Sequence, residues 1–232
     1  MNSNRKSYSW QRVNCSYEKG LYMRIERVES LDKRKCKVFT DEDFAFLLYN
    51  GELEKYGVCE GAVLEERTER ELLDLLSRRA HERALNLLKV QDRTEGEMCR
   101  RLFQDGYPDS IVQETIGFLK EYHFVDDARY AANYLQVHGK RKSQAELKLY
   151  LQRKGISREI IREQLEETEH DSGEAIRVLL EKKHYKAGET APEEEKKIIA
   201  YLMRRGFSWE DIRREMKEYF RILQANGLSV YI

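Results

Sequence analysis

Asp126 and Asp127 are the nearest the sequence comes to an acid–base or metal-binding pair. Two adjacent carboxylates can share a proton or hold a cation, but both uses need a further ligand or base at fixed spacing. None follows, and an aspartate ahead of an apolar-periodic run is an ordinary helix N-cap. The five histidines, at 81, 123, 138, 170 and 184, never pair at i, i+4, and the four cysteines, at 15, 36, 59 and 99, form no CxxC. That spacing offers neither a zinc site nor a disulfide framework, so reduced thiols are expected. The sequence has no Gly-rich phosphate loop, nucleophile elbow or HExxH. These residues argue against an enzyme, a resident metal and a cofactor.

The remaining chemistry is charge. Between Gly139 and Lys154 six residues are basic (Lys140, Arg141, Lys142, Lys148, Arg153, Lys154) and one, Glu146, is acidic. Such a cluster meets phosphates or an acidic protein groove, although charge runs often only solvate a helix face. Arg204 and Arg205 extend it, followed by Arg213 and Arg214 among Glu210, Asp211 and Glu215. The patch stands out because Lys+Arg and Asp+Glu both number 42, giving zero formal net charge. A neutral chain has no global attraction to nucleic acid, so any basic surface must be local. Charged residues reach 36%, which fits long helices with one solvated face. Tyr107, Phe207 and Trp209 are expected in core or inter-helix packing.

The elements that position this charge are repeated. Ser143 with Glu146 makes a capping box, Leu147, Tyr150 and Leu151 recur at helical spacing, and Gly155 supplies a left-handed stop. Ser157 caps a second helix with Ile160, Ile161 and Leu165 as its apolar stripe. Two near-copies flank this unit, with glycines at 106, 155 and 206, which stand 49 and 51 positions apart. Met98, Leu147 and Ile198 then superpose, as do Leu102, Leu151 and Leu202; Tyr107, Ile156 and Phe207; and Ile116, Leu165 and Met216. A fixed period of this size marks a helical repeat array. A third helix is predicted ahead of each pair: the end of a long helix with Ala84, Leu87 and Leu88, then Asp127–Val137, then Gly173–Lys183. Thr94 with Glu97 forms a second capping box, and Thr190 with Glu193 is predicted to cap a helix that starts a turn early.

Before the repeats lies a polar stretch to about residue 19, then strand-like alternation from Leu21 to Glu29. Lys35–Thr40 and Phe44–Tyr49 read as a hairpin closed by Asp41-Glu42-Asp43, and Glu52–Tyr56 as a helical turn ended by Gly57. No apolar run nears the roughly 20 residues that span a bilayer, and the N-terminus lacks a signal-like apolar core. The expectation is a mainly α protein. It comprises three tandem three-helix repeats forming an elongated curved array, preceded by a small β-rich N-terminal module. The predicted divisions are 1–65, 66–125, 126–170 and 171–225, in a cytoplasmic monomer.

The run from Phe124 to Ala131 (FVDDARYA), the turn from Leu151 to Ile156 and the run from Arg204 to Ile212, with its Arg-Gly-Phe-Ser motif, resemble the RecX family. The resemblance covers about residues 70 to 222. It implies a non-enzymatic regulator that lodges in the groove of RecA–DNA filaments and limits ATP hydrolysis, coprotease activity and strand exchange. RecA and its filament are the implied partners, with direct DNA contact secondary. The contact candidates are Lys140, Arg141, Lys142, Lys148, Arg153, Lys154, Arg204 and Arg205. A free-standing helical nucleic-acid-binding module is the alternative. Gly96 and Met98-Cys99 depart from the family pattern in the first repeat. They are expected to soften that unit, since glycine costs up to about 1 kcal/mol against alanine inside a helix.

Overall fold

Alternation in Lys35–Thr40 sets a strand with two unlike faces, Cys36, Val38 and Thr40 being buried while Lys35, Lys37 and Phe39 point the other way. A computed structural model of the protein describes residues 23–41, 45–168 and 171–225. Three strands, β1 (Ile25–Ser30), β2 (Lys35–Thr40) and β3 (Ala45–Tyr49), pair antiparallel in that order. A bulge between Ile25 and Arg27 keeps Ile25 on the buried face and turns Arg27 to face Phe39 across the ladder. Asn50 ends β3 and opens α1 (Asn50–Tyr56), which stops at Gly57 in the left-handed region (φ +62°). The predicted strand start at Leu21–Tyr22, the turn residues Glu42 and Asp43, Phe44, Cys15, His170 and the polar N-terminal stretch lie outside the described residues.

The chain divides into two units, residues 1–74 and 75–232, with the boundary inside α2 (Glu66–Leu88). The second unit holds α3 (Glu95–Gln104), α4 (Asp109–Glu121), α5 (Asp127–His138), a 3₁₀ turn (Gly139–Arg141) and α6 (Gln144–Lys154). It continues with α7 (Arg158–Glu167), α8 (Gly173–Lys182), α9 (Pro192–Arg204) and α10 (Trp209–Ala225). Three separate cores form. The first gathers Ala84, Met98, Leu102, Val112, Ile116 and Leu119, and the second Ala131, Leu135, Leu147, Leu151, Ile156 and Ile161. The third gathers Ile176, Leu180, Ile198, Leu202, Phe207 and Ile212. The positions superposed by the glycines are therefore the core positions, and Leu102, Leu151 and Leu202 are each fully buried.

The repeats meet through the capping boxes. Thr94 Oγ1 accepts from the Glu97 N–H (3.2 Å) inside its own helix and donates to the Lys154 carbonyl (2.6 Å) at the end of α6. Ser143 Oγ repeats both bonds one unit on, accepting from the Glu146 N–H (3.1 Å) and donating to the Arg205 carbonyl (2.6 Å). Each box glutamate binds the cation at that same carboxyl end: Lys154 Nζ sits 2.6 Å from Glu97, and Arg205 Nη2 2.6 Å from Glu146. Gly96 is no soft spot in this arrangement. A Cβ built there would lie 3.0 Å from Gly155 Cα and 3.1 Å from the Lys154 carbonyl oxygen, both backbone atoms. Glycine is needed because two backbones touch.

The insertion ahead of α9 differs from the sequence expectation. Thr190 Oγ1 accepts from the Lys186 N–H (2.8 Å), which folds the loop on itself. With that oxygen engaged, α9 starts at Pro192 behind Ala191 without a side-chain cap. Proline at the first helical position wastes no N–H, so the start tolerates the missing cap.

Replacing Leu151 by alanine should cost about 2–5 kcal/mol, the usual range for a fully buried leucine. Gly96→Ala reverses the sign that helix propensity gives: instead of gaining up to ~1 kcal/mol, it should destabilise by roughly 1–3 kcal/mol through overpacking. Urea unfolding of both variants checks the two values, and a stabilised Gly96→Ala would show that the backbones separate freely.

Candidate partner interface

Two helix ends and one short turn carry the basic residues, divided between the two ends of α6. The Ser143–Arg205 bond places the 3₁₀ turn carrying Lys140 and Arg141 beside the carboxyl end of α9, where Arg204 and Arg205 stand. That turn also packs on α8. At the first joint the same construction presents Arg153 and Lys154, and Arg100 reaches the Lys154 carbonyl with Nη2 at 3.4 Å. Lys148 lies between the two joints on the exposed side of α6. His138, next to the basic turn, is held below the usual histidine range by burial and then by the charges of Lys142 and Arg141.

The eight candidates do not share one role. Lys140, Arg141, Lys148, Arg153 and Arg204 are exposed, and among the described residues none of the five joins an ion pair. Lys154 and Arg205 direct their charge inward to Glu97 and Glu146. Lys142 is half-buried: its ammonium donates to the Tyr134 hydroxyl (2.6 Å) and lies 5.1 and 5.3 Å from the ring centres of Tyr134 and Tyr150. Those rings stack at 4.0 Å and 5°. Lys154 approaches Tyr150 at 5.5 Å, so two ammonium groups flank the stacked pair. Burial and a bond to Tyr150 push the nearby Tyr130 hydroxyl up to about 12. Of the remaining basic candidates, Arg213 is exposed, while Arg214 pairs with Asp211 (2.9 Å) and approaches Glu215 (3.4 Å).

The two aspartates part company. Asp126 caps α5, accepting from the Arg129 N–H (2.9 Å), as its position before an apolar run predicted. Asp127 instead turns back and accepts from the Glu95 N–H (2.8 Å) at the start of α3. Burial raises its pKa above the ordinary carboxylate value, and the Glu95 hydrogen bond opposes that rise. Both carboxylates thus serve helix amino termini. No group of three His, Cys, Asp or Glu among the described residues could hold a metal. Cys36, Cys59 and Cys99 are free thiols, and burial pushes Cys99 up to about 11, far from thiolate reactivity at neutral pH. Phe207 packs in the third core and Tyr107 against the first, whereas Trp209 is 49% exposed and is not the packing residue its neighbours suggested. It sits at the first position of α10, where its side chain clears the core stripe.

The joints were missed in the sequence, though their signal is there at repeat spacing. Thr94 and Ser143, Glu97 and Glu146, small Gly96 and Ala145, and basic Lys154 and Arg205 all recur in step with the glycines. A capping box is normally read as local, so its second use across units goes unnoticed.

Comparison with known proteins bears on the same residues. Family models described as the first, second and third three-helix domains of RecX match residues 80–119, 126–165 and 171–216. A curated relative named Regulatory protein RecX, from Clostridium tetani, is 33% identical over 149 residues, covering 62% of this chain and 67% of its own. This chain belongs to the RecX family. A RecX regulatory protein of Clostridium acetobutylicum is 27% identical over 205 residues, 84% of this chain and 96% of that one. The Bacillus licheniformis protein of the same name is 29% identical over 202 residues, 81% of this chain and 73% of its own. Two solved RecX structures share the fold at 22% identity. One reaches a TM-score of 0.58 over 84% of this chain and 99% of the other. The second, from Lactobacillus salivarius, reaches 0.54 over 63% and 97%. Among the described residues no helix is long and apolar enough to cross a membrane.

Lys140→Glu and Arg141→Glu should each change stability by no more than about 0.5 kcal/mol, as exposed sites do. Lys142→Glu should cost roughly 1 kcal/mol or more, because the lysine loses its place over the tyrosine rings. Equal denaturation midpoints for all three variants would remove Lys142 from the packed stack.

Proposed function

We propose that this chain is a non-enzymatic regulator that binds RecA and the RecA–DNA filament. It works in the cytoplasm as a monomer and limits the filament's ATP hydrolysis, coprotease activity and strand exchange. The observation that carries this reading is the set of five exposed cations, in no ion pair among the described residues, held along α6 and at the second joint of a RecX-family repeat array. A nucleoprotein filament carries phosphates that attract such cations, while the neutral whole chain adds no global attraction to DNA. Lys140, Arg141 and Arg204 are the contact residues at the Ser143–Arg205 joint, with Lys148 and Arg153 further along α6. Lys142, Lys154 and Arg205 support that surface from behind, through the tyrosine stack and the box glutamates.

Added below equimolar ratio, the protein should suppress DNA-dependent ATP hydrolysis by RecA of the same species while hydrolysing nothing itself. The variant Lys140→Glu, Arg141→Glu, Arg204→Glu should keep its thermal midpoint and lose filament binding. Its residual binding should also depend less on salt, by a slope of about 0.7 per lost phosphate contact. Co-sedimentation on single-stranded DNA with and without RecA separates the two function classes. Retention that RecA increases and that the Lys140→Glu, Arg141→Glu, Arg204→Glu variant loses supports the regulator, and retention on bare DNA that falls in that same variant supports an independent nucleic-acid-binding module in the helical repeats.

A further inference from the structure

The outward face of the three-stranded sheet carries a second, separate accumulation of charge. Within Lys33–Lys37 four of five residues are basic: Lys33, Arg34, Lys35 and Lys37. Lys33 and Arg34 are exposed in the turn between β1 and β2, while the pleat of β2 puts Lys35 and Lys37 on the face away from the core. The register places Tyr49 opposite Lys35, Leu47 opposite Lys37 and Arg27 opposite Phe39. Cations lie over the rings: Arg27 at 4.1 Å and Lys37 at 4.8 Å from the Phe39 centre, Lys35 at 5.5 Å from that of Tyr49. Tyr49 is 44% exposed and Phe39 is half-buried.

The nearby carboxylates are already engaged. Glu29 pairs with Arg27. Asp32 accepts from the backbone N–H groups of Arg34 (2.7 Å) and Lys35 (2.9 Å), which shapes the turn. Glu52 accepts from the Tyr49 N–H (2.9 Å) at the start of α1. Lys33, Arg34, Lys35 and Lys37 join no ion pair among the described residues. Glu29 stands opposite Lys37 in the ladder and Asp32 keeps its charge in the turn, so the cations exceed these carboxylates, and that excess attracts an extended anion. Rings on neighbouring strands, one of them overlain by a guanidinium, add what a simple anion site lacks. Aromatic and arginine planes stack unpaired bases whatever their sequence.

We propose that this sheet face and its Lys33–Arg34 turn bind single-stranded nucleic acid, with phosphates on Lys33, Arg34, Lys35 and Lys37 and bases stacked at Phe39–Arg27 and Tyr49. A duplex offers its phosphates but keeps its bases stacked internally, so it engages only the lysine edge. A segment of acidic side chains likewise offers the rings no aromatic plane to stack on. The site belongs to the first unit and is independent of the filament contact proposed for the helical repeats.

The test uses the full chain without RecA and a fluorescein-labelled oligothymidylate as probe, read by anisotropy at two salt concentrations. The variant Lys33→Glu, Arg34→Glu, Lys37→Glu should bind about tenfold or more weakly and flatten the salt slope by about 2, three contacts at roughly 0.7 each. Tyr49→Leu should weaken binding by roughly fivefold or more while barely moving the salt slope, since stacking is lost and charge is kept. Ultraviolet crosslinking of the probe should label the peptide spanning residues 33–49. Circular dichroism melts confirm that each variant is folded, and Lys33→Glu, Arg34→Glu, confined to the exposed turn, replaces the triple variant if that one unfolds. Unchanged affinity in the folded charge variant, or crosslinks confined to the helical repeats, overturns the site. Displacement of the probe by polyglutamate or by duplex as readily as by oligothymidylate overturns its assignment to single strands.

Discussion

A single hydroxyl at each joint ties the start of one helix to the end of another. Thr94 and Ser143 each accept a bond from a first-turn N–H that has no intrahelical partner, and each donates to a carbonyl left open at another helix's end. The carboxyl end of α9 thus meets the amino end of α6, and the carboxyl end of α6 meets the amino end of α3, in reverse chain order. Such a head-to-tail meeting places the positive end of one helix dipole against the negative end of the next. The box glutamate and the terminal lysine or arginine add a charge of the favourable sign on each side. Because the three cores are local, these joints carry coupling between neighbouring repeats that side-chain packing within a repeat cannot supply.

The joints also decide which basic residues are available. Glu97 and Glu146 stand in the first turn of α3 and α6, where a carboxylate already suits the helix end. Each then fixes the cation of the following unit, so Lys154 and Arg205 are held while their sequence neighbours Arg153 and Arg204 stay exposed. Adjacent residues with the same charge thus divide between scaffold and surface. The tyrosine stack does the same for the basic turn, tying Lys142 down and leaving Lys140 and Arg141 outward. Local positive charge arises from this sorting even though the chain as a whole is neutral.

Periodicity made the repeats legible because a leucine that recurs at helical spacing and a glycine that ends the run have few other readings. The caps of Thr94, Asp126, Ser143 and Ser157 were readable for the same reason: each is a local event within four residues. What escaped the sequence depends on partners far along the chain. Gly96 read as a weakness until Gly155 was found against it, and Asp127 read as a second cap residue until it reached Glu95. Thr190 failed as a cap because a loop N–H competed for its oxygen. Surface and scaffold lysines could not be separated, since charge and spacing are the same for both.

The series of joints stops because its ends lack the groups a joint requires. In register with Thr94 and Ser143 the third repeat has Glu194, whose ionised carboxylate has no hydrogen to donate to a carbonyl. Lys196 stands where Gly96 and Ala145 allow two backbones to touch, and Lys197 replaces the box glutamate, so a basic terminal residue would meet repulsion. The other end is altered too: Asp105 takes the place of Lys154 and Arg205, and it is bound by Arg83 at 2.7 Å and Arg101 at 3.4 Å. A contact in which the tail of one molecule fits the head of the next propagates without closing. Repeats that join through one recurring surface face that hazard at both free ends. Here the small residue, the hydroxyl and the charge have each been replaced at the amino-terminal face of α9, which removes the joint while leaving Ile198 and Leu202 in their own core.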